Sequence, residues 1–233
     1  MPTGDQGPNA DEEELDEPID PPPESHEPLP PPPPEVDELA RACIEFVKKA
    51  TQMELDYTAE TLPVLDFYLR GVREEAGGKT EVLALVAPPV GAYLGEVTRR
   101  RLRARWYAPP GQHRRFRLEL CDVLLSTNPI GAAAEALLLD EAPGWGARLR
   151  MMPEDEALSE RVLANFPEVD VDEYYSPSNR LETLEIVVDA LIAHHLADRE
   201  KRGEAARRYD EQDYGWARTE AIAEAEGSGD GLA

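Results

Sequence analysis

The sequence predicts an α+β fold, a mostly helical single domain with a small antiparallel β-hairpin or sheet. Three observations point there. Between Val36 and Arg202 most segments carry apolar residues three and four apart, the period of a helix with one buried face. Between Ala104 and Leu120 the pattern changes to alternation about a Pro-Pro-Gly turn, the period of a strand. Near residue 34 the proline and charge content shifts abruptly, which leaves one domain over 35–203 between a leader at 1–34 and a tail at 204–233.

The leader holds 12 of the 22 prolines and almost no large apolar side chains. It cannot bury enough surface to offset the entropy of ordering, so it is expected to be a disordered, acidic, proline-rich segment. Up to Asp37 it carries 12 acidic residues and no Lys or Arg, half of the formal net charge of −24. Pro30 to Pro34 favour an extended polyproline conformation. Pro28 to Pro31 matches PxxP without the flanking basic residue of an SH3 ligand, so a semi-rigid spacer is the simpler reading.

The first helix is expected to run to about Thr51, with Val36, Leu39, Ala40, Cys43, Val47 and Ala50 on one face. A second, over 59–72, is read as capped by Thr58 and buried through Leu62, Leu65, Leu69 and Val72. Residues 81–87 are apolar but too short for periodicity to separate helix from strand; helix is favoured, kinked or restarted at Pro88-Pro89. Gly91 to Leu102 reads as helix, with Gly91 and Gly95 spaced for close approach of another chain segment. Residues 104–108 and 115–120 form the hairpin; Phe116, Leu118 and Leu120 point inward, and Arg115, Arg117 and Glu119 are expected to face water. Asn128-Pro129 is a cap and first-position pair that opens a helix to about Leu139. A short acidic helix follows over 154–165, then a longer one from a capping box at Asn179 and Glu182 to about Arg202. Beyond Gly203 the periodicity fades, and the acidic tail is expected to pass from helical to disordered.

Two segments stand out as motifs. The first is Leu55-Asp56-Tyr57-Thr58-Ala59-Glu60-Thr61-Leu62, continuing to Leu69; the second is Gly91-Ala92-Tyr93-Leu94-Gly95-Glu96-Val97, followed by Trp106. Together they resemble a group of small bacterial proteins that share an LD-aromatic-Ser/Thr segment and a GAYLGEV-like helix, over roughly residues 36–139. The resemblance implies an α+β fold and a bacterial source, and brings no activity, cofactor or catalytic residue with it.

The excess of acid excludes a generic nucleic-acid binder, which needs clustered Lys and Arg. The amino terminus lacks a basic and then apolar signal segment, and the longest apolar run, Val82 to Leu94, is too short and proline-broken to span a bilayer. No membrane partner is expected, and the location read from these features is cytoplasmic. Cys43 and Cys121 read as reduced core residues. Arginine outnumbers lysine 20 to 4, a bias of the kind a GC-rich genome produces.

Catalytic constellations are scarce. No GxSxG elbow, Walker loop or GxGxxG fingerprint occurs. Outside the leader the only histidines are His113, His194 and His195. His113 could meet Cys121 across the hairpin, but a cysteine ending an apolar strand reads more simply as core. His194 and His195 diverge by about 100° on a helix and do not share a metal easily. His195 falls on the apolar stripe and reads as a hydrogen-bonded core histidine. Asp170, Asp172 and Glu173 lack the glycine of a calcium loop. No catalytic residue, metal ligand or cofactor is therefore assigned. Glu96 reads either as a buried acid or base or, more simply, as an exposed helix Glu paired with Arg99 or Arg100.

The strongest local signal is charge segregation. Residues 91–121 hold eight Arg against Glu96 and Glu119, net +6, whereas 153–189 hold eleven acids against Arg161 and Arg180, net −9. The plain reading is a solvated surface whose halves pair with each other. The functional reading is an interaction patch of Tyr93, Glu96, Arg99, Arg100, Arg103, Arg105, Arg115 and Arg117. The expected role is a non-catalytic protein-interaction or regulatory module with a protein partner. The alternatives are an enzyme with an atypical site around Glu96, Arg99 and Tyr93, and a toxin-neutralising acidic protein.

Overall fold

The computed structural model describes residues 29–76 and 79–219. Most of the leader expectation, over 1–28, and the end of the tail, 220–233, lie outside the described residues. The fold is α+β and mostly helical, with a three-stranded antiparallel sheet of order β1-β2-β3. In chain order the elements are α1 (Pro34–Thr51), α2 (Leu62–Ala76), α3 (Thr80–Leu102), β1 (Ala104–Tyr107), β2 (Arg117–Leu120), β3 (Ser126–Thr127), α4 (Pro129–Leu138), α5 (Pro153–Leu163), α6 (Val171–Tyr175) and α7 (Pro177–Arg202).

Helices α1 to α4 enclose one apolar cluster, which includes Val36, Cys43, Leu65, Leu69, Val90, Tyr93, Val97 and Ile130. α3 is continuous through Pro88 and Pro89, where a kink or restart is expected. Those prolines withhold two amides from the carbonyls four residues back, at Ala84 and Leu85. Both residues are exposed, so water can hydrate the carbonyls and the helix need not break. Gly91 lets α3 reach α4: a Cβ there would lie 2.3 Å from the Ile130 Cα. At Gly95 a Cβ would instead collide with the Trp106 indole at 2.3 Å.

Local signals set several boundaries as the sequence predicts. Asn128 caps α4 by accepting from the Ile130 and Gly131 amides, and α7 ends at Gly203 with φ at 67°. Pro110 and Gly111 take the centre of a turn closed by Gln112 N–H to the Pro109 carbonyl at 3.1 Å, with Gly111 at φ 69°. Two caps differ from expectation. Thr58 makes no cap; Asp56 accepts from its amide and its hydroxyl instead, and also from Thr61. α7 starts two residues before Asn179, with Ser176 as cap accepting from the Asn179 amide.

The sheet sits between two layers. Leu118 and Leu120 pack on Leu184, Val187, Val188 and Leu191 of α7. The opposite face, expected to be wet, is covered: all four residues of β2 are buried. Residues 209–218 lie over it. Glu119 is held bidentately by Arg218 at 2.7 and 2.8 Å, Arg105 donates to the Tyr209 carbonyl, and Arg218 stacks on Tyr107. Tyr214 is fully buried, accepts from the Leu125 amide, and donates into the carbonyls of Leu120, Val123 and Leu125. A polar strand face can thus be dry when another segment supplies its partners.

Candidate interaction surface

The two sequence motifs meet in space. The Tyr93 hydroxyl accepts from the Tyr57 amide at 3.0 Å and shares a hydrogen bond with Thr61. The Tyr57 and Tyr93 rings stack at 5.2 Å, and the Arg100 guanidinium lies 4.1 Å above Tyr57. Tyr57 has φ at 65°, a left-handed conformation unfavourable for a bulky residue; its amide bond and stacked ring hold it there. Burial pushes the Tyr93 phenol above its ordinary pKa, so the hydroxyl stays protonated and able to donate.

Glu96 corrects one expectation. It is paired with Arg99, but at 1% exposure it is buried rather than exposed. Arg99 grips both carboxylate oxygens at 2.8 and 2.9 Å, the Trp106 indole N–H donates at 2.7 Å, and Arg100 stands 3.8 Å away. The remaining Arg99 nitrogen donates to the Pro30 carbonyl, and Glu35 accepts from the Gly111 amide and bonds His113. Pro30, near the end of the leader, therefore meets α3, and the first turn of α1 meets the β1–β2 turn.

The basic residues singled out from sequence do not form one exposed face. Tyr93, Glu96, Arg99 and Arg117 are buried. Arg103 faces Asp122 at 3.8 Å, Arg105 lies against Tyr209, and Arg115 bonds Gln112. Arg100 is exposed on one side and stacked on the other. The enzyme alternative's residues are likewise enclosed, since the Tyr93 hydroxyl is engaged by Tyr57 and Thr61 and the Glu96 carboxylate by Arg99 and Trp106.

Other titratable groups serve packing. His195 Nε2 meets the buried Asp155 at 2.8 Å and ties α7 to α5. Burial raises the Glu135 and Asp66 carboxyls above the ordinary range; Arg180 and the Ser178 amide oppose that rise. Both cysteines are free and buried. Among the described residues no group of three or more His, Cys, Asp or Glu is placed to hold a metal, and no helix is long and apolar enough to cross a membrane. A cavity of about 170 Å³ beside His195, Asp198, Arg199 and Tyr209 is smaller than the roughly 300 Å³ at which pockets for organic ligands begin.

What the surface does offer is apolar. Phe67 on α2 is 61% exposed, and Phe166, Val169, Val171 and Tyr174 are 49, 36, 57 and 53% exposed. Arg70, one turn after Phe67, is bonded to Asp172 of α6, as is Arg73. These pairs tie α2 to α6, with Arg70 one turn from Phe67 and Asp172 next to Val171 in the chain. Arg180 braces α6 from beneath, 5.1 Å from the ring centres of both Tyr174 and Tyr175 and bonded to Glu135. No protein-family model, curated protein or solved structure matches the chain.

These residues carry only weak signals in the sequence. Phe67 was legible as a large apolar side chain two positions off the stripe of Leu62, Leu65 and Leu69, and the Val171–Tyr175 run as aromatic residues among acids. α6 was missed because five residues give no helical period.

Proposed function

We propose that the chain is a non-catalytic protein-interaction module that works in the cytoplasm and recognises its partner through the surface shared by α2, α6 and the segment before α6. One observation carries this. Phe67, Phe166, Val171 and Tyr174 are large apolar side chains, each near or above half exposure, on α2, α6 and the segment before α6, and the Arg70 and Arg73 pairs with Asp172 tie α2 to α6; exposed apolar surface of this kind on soluble proteins marks binding sites. Tyr and Phe on rigid supports are effective anchors because little side-chain entropy is lost when they are covered. The ion pairs of Arg70, Arg73 and Arg180 supply that support.

The test is site-specific photocrosslinking in the source cells. A benzophenone side chain in place of Phe67 or Tyr174 should give the same discrete adduct, and one at Arg41, exposed on α1, should not. An identical adduct pattern from all three positions, or none from the first two, would overturn the proposal.

A further inference from the structure

Resting on that reading of the surface, we infer that its partner presents a basic segment with an apolar face, such as an amphipathic helix rich in Lys or Arg. The argument is one of charge left over. Around the exposed apolar residues lie Glu74, Glu168, Asp170, Asp172 and Glu173. Both nearby cations on α2, Arg70 and Arg73, pair with the single Asp172, so these five carboxylates and two guanidiniums leave a net charge of −3. Glu74 follows Phe67 by seven positions and so shares its helix face. Glu74, Glu168 and Glu173 are exposed. The apolar anchors are therefore rimmed by uncompensated carboxylates.

That rim discriminates among the classes of occupant. A second copy would set the same acidic rim against itself, in a chain whose formal net charge is −24. Nucleic acid and anionic lipid surfaces carry the wrong sign. The chain's own residues 1–28 hold acids and no Lys or Arg, so they are repelled as well. A cationic protein segment gains attraction to the rim at encounter and covers the aromatic anchors once docked. Screening over roughly 8 Å at physiological salt limits this to groups close to the patch, so the basic residues must border the apolar face of the partner.

The probes are three 18-residue peptides with one leucine face and the other positions all Lys, all Gln or all Glu, added to the isotope-labelled full chain. Amide shifts of 66–74 and 166–175 should move with the Lys peptide. The Gln peptide should bind there about tenfold more weakly and the Glu peptide should leave those residues unmoved. Glu168→Lys with Glu173→Lys should reverse the preference, and Phe67→Ser with Tyr174→Ser should abolish the site for all three while the remaining spectrum is unchanged. Equal binding of Lys and Gln peptides at these residues would overturn the charge inference and leave the interaction surface standing. Absence of shifts there with every peptide, or shifts confined to residues 1–28, would overturn both.

Discussion

Replacing Tyr214 by Phe takes away a single oxygen, yet the surroundings of that oxygen make the cost calculable. The hydroxyl accepts from the Leu125 amide at 3.1 Å and has one proton to give, with the Leu120 carbonyl at 2.7 Å and those of Val123 and Leu125 at 2.8 and 3.0 Å. That amounts to two net hydrogen bonds at about 1 kcal/mol each in a fully buried position, so the loss should be about 2 kcal/mol. With a urea dependence of about 2 kcal/mol per molar, the unfolding midpoint should fall by about 1 M. Tyr174→Phe, on an exposed ring, should move the midpoint by no more than about 0.3 M. Because burial holds the Tyr214 phenol above its ordinary pKa, the difference between the two variants should persist into mildly alkaline buffer. Equal, small shifts for both variants would refute the reasoning and show that residues 209–218 unfold apart from the sheet.

Three further substitutions probe the interior. Gly91→Ala should cost about 3 kcal/mol or prevent folding, since its methyl would strike the Ile130 backbone, which cannot swing aside as a side chain can; calorimetry reads this directly. Glu96→Ala leaves Arg99 charged and buried without its carboxylate, and should lower unfolding free energy by about 3 kcal/mol; full stability would return Glu96 to the list of functional candidates. Asp66→Asn should make the protein more stable at neutral pH and not at acid pH. Burial raises the Asp66 pKa, so the native state holds that proton more tightly than the unfolded chain, and the wild type loses stability as pH rises from 3.8 through the raised value. The gap between variant and wild type in urea midpoint should close on acidification; a gap that widens would reverse the assignment.

Legibility in the sequence followed the range of the interaction. Asn128 before Pro129, Gly203 after Arg202, and Pro110-Gly111 state their structure within four residues, and the structure agrees. The helical stripes of α1, α2 and α7 were legible because burial repeats along each helix. Distant partners were not. Glu119 is satisfied by Arg218, 99 positions away, and Glu96 by Trp106 across the α3–β1 corner, so alternation and local pairing gave the right faces and the wrong exposure. The candidate surface was hidden for the converse reason. A large apolar residue is read as core unless the shape of the fold shows that nothing covers it, and Phe67 and Tyr174 needed that shape.

The bonds of Tyr214 also impose an order on synthesis. Leu125 waits 89 residues for its hydroxyl partner, about 4 to 18 s at ribosomal speeds of roughly 5 to 20 residues per second. Throughout that interval Glu119 has no Arg218 and the outer face of the sheet is open. A nascent chain stalled between α7 and Arg218 would carry an uncovered polar sheet face beside finished helices, a state open to quality-control proteases in a way that the completed protein is not. A ribosome that stops short of Arg218 therefore leaves a recognisably incomplete molecule, however well the helical half has already packed.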